Sequence, residues 1–412
     1  MRNAKSSPAP IFVSIVTVLL LAASSLAAAQ TEKMLHVFKG ASIPNGSGYP
    51  NGGLIAGAAG NLWGTTAATG NSCSGGACGT VFELSPTGTG GYIQTVLHSF
   101  SMSGTQPWNP QAGLAMDAGG NLYGTTYAGG LLGAGTVFKL TYAAGAWTGN
   151  VLHSFGGPDD GAQPVAAVTL DAAGNVYGTT QTGGRYGEGV VFGLSPNPSG
   201  GWSEKVLHAF KNVDGASPRG ALILDSAGNL YGTTQGGGAN GEGAAFELSP
   251  SLTGPWTETV IYSFASAPGP QLTMDGAGTL YGTTSEFGSE NAGFVFELTP
   301  SAGSWSEQVI YNFCSEAHCA GGFGSSGVVI DPAGNLYGTT AGGAAYAEGA
   351  AYELSPPAAG GSIWTHTVLH AFGNGTDGAQ PTGTLLYNTG ELFGATLYGG
   401  KYGFGTVFQI TP

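Results

Sequence analysis

The chain carries little charge. Charged residues make up 8% of its 412 residues, and 24 acidic residues outnumber 10 basic ones, whereas a soluble domain is usually about one quarter charged. Nucleic acids and anionic membranes are bound by clusters of Lys and Arg that neutralise phosphates. The composition therefore argues against both kinds of partner, and uncharged polar residues must cover most of the surface.

Long apolar segments are also scarce. One apolar stretch, residues 11–26, follows Arg2 and Lys5 and precedes a run of small residues. A basic start, a short apolar segment and small residues before a cleavage point are typical of a secretory signal peptide. We expect residues 1–29 to be removed and residues 30–412 to contain no membrane span. The protein is then predicted to be secreted or periplasmic.

Helical periodicity is missing after this segment, and glycine, with 76 residues, recurs regularly. The phrase "GNLYGTT" or a variant occurs seven times, with its second glycine at Gly64, Gly124, Gly178, Gly232, Gly282, Gly338 and Gly394. Relatives of "VFELSP" (81–86) and "VLHSF" (96–100) keep the same spacing, and a weaker apolar run precedes each copy. A phosphate-binding loop would need a following helix and a lysine, so the glycines indicate a structural repeat.

Each repeat unit predicts four short β-strands, because runs rich in Val, Leu, Phe, Tyr and Thr alternate with turn residues. Seven such units predict an all-β fold, a seven-bladed β-propeller of four-stranded blades. The last unit reaches Pro412 one strand short, and a spare copy of that strand, "MLHVF", stands at 34–38. We expect this N-terminal strand to complete the last blade and close the ring. A linear β-solenoid is the alternative, which the complementary ends disfavour.

The repeated polar residues are interpreted as structural. Five histidines share one strand position, which holds tyrosine in two other units, so packing and hydrogen bonding explain them: His36, His98, His153, His208 and His370. Five aspartates that end the first strand of their units are interpreted as turn caps: Asp117, Asp171, Asp225, Asp275 and Asp331. A ring of these carboxylates around a cation such as calcium is the alternative. No other cofactor, metal ligand or catalytic residue is predicted.

The irregular loops predict a binding face. The glycine-rich loops between second and third strands share one face of the disc with the blade-to-blade loops, and binding residues concentrate on such loops. Aromatic rings beside carboxylates and amides suit a sugar, and an extracellular glycan or protein is the expected partner. The candidate ligand residues are Trp108, Tyr127, Asp160, Arg185, Tyr186, Arg219, Tyr346, Lys401 and Tyr402. Solvated loop residues of a degenerate repeat are the competing interpretation.

The four cysteines form two local pairs, Cys73 with Cys78 and Cys314 with Cys319. Even pairs in an exported protein are typical of disulfides, and loops this short would be stiffened by them. His318 beside Cys319 raises a metal site as the alternative, but the two pairs belong to different units. Two disulfides are therefore predicted.

The unit "GNLYGTTxxGGxxGxGxVFELSP" resembles the bacterial GloVer tandem-repeat proteins. The resemblance covers essentially the whole chain after the signal and implies an exported repeat protein. It implies no biochemical activity, so no catalytic residue can be carried over. Many of these proteins end in a sorting anchor, whereas this chain ends with its last strand at Pro412. A free, unanchored protein is therefore expected.

These observations favour a monomeric, non-catalytic binding or scaffold protein. The alternative is a propeller hydrolase or lyase that acts on polysaccharide, because the blade pattern is loosely similar to that of propeller lyases. Two non-repeated acids, or a non-repeated histidine, at the mouth of the channel would favour the enzyme. A disc with a purely structural role is the third interpretation.

Overall fold

The computed structural model describes residues 31–40, 48–67, 78–251, 254–284, 292–301, 303–315, 319–358 and 361–412. Its regular elements are β-strands, and they form seven four-stranded antiparallel sheets that follow one another around a ring. The predicted all-β, seven-bladed propeller is confirmed. The predicted signal peptide lies outside the described residues. Within them, no helix is long and apolar enough to cross a membrane.

The blades are numbered 1 to 7 along the chain, and their strands are given from the inner to the outer. Blade 1 comprises Ile55–Ala56, Leu62–Thr66, Thr80–Pro86 and Tyr92–Ser99. Blade 2 comprises Ala115–Met116, Leu122–Thr126, Thr136–Ala143 and Ala146–Ser154. Blade 3 comprises Thr169–Leu170, Val176–Thr180, Val190–Pro196 and Trp202–Ala209. Blade 4 comprises Ile223–Leu224, Leu230–Gly236, Ala244–Ser249 and Thr257–Ser263. Blade 5 comprises Thr273–Met274, Leu280–Thr283, Phe294–Ser301 and Ser304–Asn312. Blade 6 comprises Phe323–Ile330, Leu336–Gly342, Ala350–Ser355 and Thr365–Ala371. Blade 7 comprises Gly378–Asn388, Glu391–Gly399, Thr406–Thr411 and the N-terminal strand Thr31–Val37. Three short strands in the loops are Gly161–Ala162, Thr182–Gly183 and Ala216–Pro218.

The ring is closed by the N-terminal strand, as predicted. Thr31–Val37 pairs antiparallel with Thr406–Thr411, and Met34 lies opposite Phe408. The strand begins three residues before the predicted segment 34–38 and ends one residue earlier. Because the first and last strands of the propeller share one sheet, blade 7 presents no open edge on its third strand.

An aromatic pair joins each blade to the next. The aromatic residue that follows the outer strand of one blade contacts an aromatic ring on the third strand of the following blade, with ring centroids 4.8–5.5 Å apart. Every ring in these pairs is at most 2% exposed. The seven pairs are Phe38–Phe82, Phe100–Phe138, Phe155–Phe192, Phe210–Phe246, Phe264–Phe296, Phe313–Tyr352 and Phe372–Phe408.

The repeated glycine of "YGTT" makes room for these rings. A Cβ at Gly124 would lie 2.6 Å from Cζ of Phe138 and 3.0 Å from Cδ2 of Leu114. Both atoms belong to the same blade as Gly124, so this glycine makes room for a ring of its own blade and not for the neighbouring blade.

The two threonines of the phrase have separate roles. The first donates a hydrogen bond to a backbone carbonyl at the start of the next blade, as Thr125 does to Ala166 at 2.9 Å. Equivalent bonds are donated by Thr65, Thr179, Thr233 and Thr283. The second bonds within its own blade, as Thr126 does with Thr136 at 2.8 Å. The phrase therefore fastens one blade to the next near the axis.

The repeated aspartates cap the turn between the first and second strands. Oδ1 of Asp117 accepts hydrogen bonds from the backbone N–H groups of Gly119 and Asn121, and Oδ2 accepts one from the Tyr123 hydroxyl. Burial favours a higher pKa for Asp117, but these hydrogen bonds outweigh it and hold the pKa below its ordinary value. Similar turns recur at Asp171, Asp225, Asp275 and Asp331. Because hydrogen bonds already occupy these carboxylate oxygens, few of them remain free to bind a cation.

We predict that Gly124→Ala destabilises the propeller by about 1–3 kcal/mol, because its methyl group must displace the Phe138 ring. Gly276→Ala is the matched control, since a Cβ at Gly276 meets no atom within 4 Å. Loss of glycine entropy in the unfolded chain should leave that variant as stable as the parent, or more so. Urea unfolding of both variants tests the expectation, and equal midpoints would contradict it.

Candidate functional site

The central channel is lined by residues from all seven blades and has a volume of about 410 Å³. Glycines bring the blades close together around it. A Cβ at Gly220 would overlap the carbonyl oxygen of Pro270, and one at Gly52 would overlap the backbone of Ala112 and Gly113. Backbone and small side chains therefore form much of the channel wall.

A second cavity, of about 440 Å³, opens from one end of this channel. It shares Gln111, Val165, Arg219 and Pro270 with the channel wall. The rest of its wall consists of Tyr127, Gln181, Thr233, Gln235 and Pro268. We call it the mouth cavity. It is enclosed by segments of blades 2, 3 and 4 and by the loop that leads into blade 5.

The two sets of loops that carry these residues are joined by backbone hydrogen bonds. Trp108 N–H donates to Ala128 O at 3.0 Å, and Tyr127 N–H donates to Asn109 O at 2.9 Å. In blade 3, Gln181 N–H donates to Gln163 O at 3.2 Å. Blade-to-blade loops and second-to-third-strand loops therefore lie on one face, as the meander predicts. These bonds hold the cavity wall in place.

Two positions of the repeat supply most of the polar lining. Tyr127, Gln181 and Gln235 each follow the "GTT" phrase of their blade. Gln111 and Arg219 each follow the proline that precedes the inner strand. The three glutamines were not among the predicted ligand residues. The sequence does mark these two positions, because their side chains differ between units while the phrases beside them repeat.

Arg219 gives the mouth cavity its charge. Among the described residues that line the cavity and the channel, it is the only charged side chain. The chain as a whole has a formal net charge of −14, so a positive group at the mouth stands out against an acidic surface. A guanidinium binds carboxylates and phosphates through paired, charge-assisted hydrogen bonds.

The structure brings together two of the nine predicted ligand residues, Tyr127 and Arg219. The other seven do not line the mouth cavity. Trp108 is half-buried and packs against the core cluster that contains Phe100 and Phe138. Asp160 is bound to His153, as described below.

The remaining five predicted ligand residues are exposed on loop tips of three blades. The guanidinium of Arg185 lies 5.8 Å from the ring centre of Tyr186, and Lys401 lies 5.5 Å from that of Tyr402. Tyr346, in blade 6, is 48% exposed. None of these five residues lines the mouth cavity or the central channel, to which Arg219 belongs.

Histidines and carboxylates meet at three boundaries between blades. In each case the histidine of one outer strand, an aspartate of the connecting loop and a glutamate of the next outer strand place one ligand atom each within 4.8 Å of the others. We call these the boundary clusters: His153–Asp160–Glu204, His208–Asp214–Glu258 and His370–Asp377–Glu32. Histidine, aspartate and glutamate together could hold a metal ion. The sequence placed these histidines on outer strands but did not show that each meets carboxylates.

Burial dominates the electrostatics of the boundary clusters. It raises the pKa of Glu258 to about 7, and the charge of Asp214 adds to the effect. Burial and the charge of Asp160 likewise raise the pKa of Glu204. The histidine Nε2 to aspartate Oδ2 distances are 3.0 Å for His153, 3.5 Å for His208 and 2.8 Å for His370.

One of the two predicted disulfides is fully described. Cys314 and Cys319 are bonded, with their Cα atoms 4.0 Å apart. Cys78 is also disulfide-bonded, but its predicted partner, Cys73, lies outside the described residues. His318, the residue that raised a metal site as the alternative, lies outside them as well.

The fold and the mouth cavity together define a β-propeller with a candidate ligand site beside its central channel. The chain belongs to the Gloeobacter/Verrucomicrobia repeat family, whose model matches residues 49–273 and 265–412. This confirms the family resemblance seen in the repeat unit. A search of the curated proteins found no match.

Solved structures resemble the chain in fold alone. One is a proposed 6-phosphogluconolactonase from Bacteroides uniformis, with 16% identity, a TM-score of 0.50 and coverage of 82% of this chain and 89% of that one. Another is the extracellular domain of a proposed one-component system from B. thetaiotaomicron, with 12% identity and a TM-score of 0.53. That match covers 93% of this chain and 42% of the other. At these identities, the likeness assigns no activity.

We predict that acid weakens ring closure through His36, on the N-terminal strand. Burial lowers the pKa of His36 to about 4, although a hydrogen bond with Gln94 opposes the shift. The unfolded state then binds more protons than the folded state between pH 4 and the ordinary value of 6.5, so stability falls as the pH falls through that window. His36 should contribute on the order of 2 kcal/mol to this loss.

Urea unfolding of the parent and of His36→Gln at pH 7.5 and pH 4.5 tests this expectation. The variant should lose less stability on acidification than the parent. Lys33→Gln, an exposed change on the same strand, is the control and should behave like the parent. Equal acid sensitivity in all three proteins would contradict the role of His36.

Proposed function

We propose that this chain is an exported, non-catalytic binding protein whose mouth cavity holds an acidic sugar of an extracellular glycan. The observation that carries the proposal is the position of Arg219, the one charged side chain among the described residues lining the cavity. A protein that presents a carboxylate at this site is the alternative partner.

The remaining lining residues suit a sugar. Gln111, Gln181 and Gln235 offer amide donors and acceptors that can pair with hydroxyl groups. Tyr127 adds an aromatic face with a polar tip. A volume of about 440 Å³ lies within the usual range for small-molecule sites. Arg219 would pair with the carboxylate of a uronic acid, and the glutamines would orient the ring.

The lining favours binding over turnover. Glycoside hydrolysis uses two carboxyl groups on opposite sides of the scissile bond, and the described lining of the mouth cavity contains neither a carboxylate nor a histidine. Arg219 stays protonated, so Tyr127 is the only ionisable side chain of the described lining that can take part in proton transfer. The polysaccharide hydrolase or lyase is therefore the less favoured function.

Export and a monomeric state are part of the proposal. The Cys314–Cys319 disulfide favours an oxidising compartment, and an extracellular propeller domain is among the similar structures. The acidic net charge disfavours nucleic acid as a partner. The ring also satisfies its own sheet edges, so the fold needs no second copy.

We predict that residues 30–412 bind an oligogalacturonide more tightly than a neutral oligosaccharide of the same length. Isothermal titration calorimetry with both sugars, at low salt, tests this. Arg219→Gln should weaken binding of the acidic sugar at least tenfold, which corresponds to about 1.4 kcal/mol. Arg219→Lys should retain part of the affinity, because it keeps the charge but loses the paired geometry.

Arg185→Gln is the matched control, since Arg185 is a loop arginine on the same face that does not line the cavity. It should leave the affinity unchanged. Equal binding of acidic and neutral sugars, or equal losses in the Arg185 and Arg219 variants, would overturn the assignment to Arg219. Release of shortened or unsaturated sugar during the titration would instead support the enzyme.

A further inference from the structure

The boundary clusters follow a pattern that runs through all seven boundaries. On each outer strand, the position four residues before the histidine or tyrosine of "VLHSF" faces the equivalent histidine or tyrosine of the preceding blade. Glu204 precedes His208 in this way while it faces His153, and Glu32 precedes His36 while it faces His370. Two fixed strand positions thus meet at every boundary.

Only some boundaries also receive an aspartate from the connecting loop. The three that do carry "DGAQP" or "DGASP" in the loop that follows the outer strand, and these three form the boundary clusters. The backbone N–H of Gly161 donates to Oδ1 of Asp160 at 2.6 Å, and that of Gly378 donates to Oδ1 of Asp377 at 2.6 Å. In both cases Oδ2 is left directed at the histidine.

The boundaries without this aspartate pair their residues in other ways. The Tyr262 hydroxyl donates to Oε2 of Glu307 at 2.9 Å, and the Tyr311 ring stacks on His366 with centroids 4.3 Å apart. His98 faces Gly149, which has no side chain to offer. Histidine, glutamate and loop aspartate therefore occur together at three of the described boundaries. Elsewhere a histidine or a glutamate is present without the loop aspartate, as at His98 and Glu307.

Two of the clusters contain a carboxylate oxygen with no protein partner. Oε1 of Glu204 and Oε1 of Glu258 are each buried from solvent, and neither has a hydrogen-bond partner among the described residues. A buried, unsatisfied carboxylate oxygen is costly to the fold. The cost is repeated at two equivalent boundaries, beside a second carboxylate in each. A divalent cation would remove it by neutralising both groups.

We propose that the three boundary clusters are binding sites for a divalent transition metal ion of the zinc class. The histidine would supply Nε2, and the aspartate and glutamate one carboxylate oxygen each. Imidazole nitrogen together with carboxylate oxygen suits Zn²⁺, whereas Ca²⁺ takes oxygen ligands almost exclusively. The backbone N–H groups on the aspartates fix the orientation of the ligand oxygen.

Such an ion would connect three separate segments: one outer strand, the loop that follows it and the next outer strand. At the boundary between blades 6 and 7 the third segment is the N-terminal closing strand, through Glu32. The ion there would reinforce the closure of the ring. In the cluster of blades 3 and 4, Lys211 Nζ lies 3.9 Å from Oδ2 of Asp214, so we expect this site to bind most weakly.

Calorimetric titration of chelator-treated residues 30–412 with Zn²⁺ tests the proposal, with a chromophoric chelator as competitor. We expect up to three equivalents to bind, and we expect Ca²⁺ at the same concentration not to compete. Glu204→Gln and Glu32→Gln should each remove one equivalent. Glu307→Gln, at the tyrosine-containing boundary of blades 4 and 5, is the matched control and should remove none.

Absence of zinc binding, or equal stoichiometry in the parent and both boundary variants, would overturn the proposal. X-ray absorption of zinc in the parent protein provides a second measurement that does not depend on how the variants fold. A shell of nitrogen and oxygen with an imidazole signature is expected, and sulfur ligands would overturn the assignment. Neither measurement depends on sugar binding at the mouth cavity, so the two proposals can fail separately.

Discussion

The aromatic pair at each blade boundary is the contact on which the rest of the structure depends. A blade is a small sheet with two apolar faces, and it can bury them only against its neighbours. The Phe–Phe contact does so at six boundaries and the Phe313–Tyr352 contact at the seventh, with every ring buried. This contact explains the repeated glycine of "YGTT", because any side chain there would collide with the aromatic ring of the third strand.

Once the rings are packed, the polar residues of the repeat act at different distances from the axis. Near the axis, the first threonine of five of the seven phrases bonds to the next blade, as Thr125 does to Ala166. At the rim, a residue of the outer strand meets the following outer strand, as His153 meets the cluster of Asp160 and Glu204. The apolar contact is the same at every boundary, whereas the rim chemistry differs from one boundary to the next.

That difference separates the two proposed sites. The mouth cavity is formed near the axis, where a few variable positions converge on Arg219. The boundary clusters lie between outer strands, where each histidine can reach carboxylates of its own connecting loop and of the next blade. Among the described residues, the mouth cavity therefore occurs once, and the boundary cluster is repeated wherever the loop supplies an aspartate.

The sequence by itself determined the four strands of each blade, the ring and its closure, because these follow from local patterns repeated seven times. It also placed the blade-to-blade loops and the second-to-third-strand loops on one face, since the order of strands in a meander fixes where each loop emerges. Only the tertiary structure decided which loop residues meet. Tyr127 and Arg219 share a cavity while Tyr186 and Tyr402 do not, and Asp160 joins His153 at the rim. Equivalent positions of different blades lie close together near the axis and far apart at the rim. The repeat pattern of the sequence does not show how far a residue lies from the axis, so it could not predict which of these residues meet.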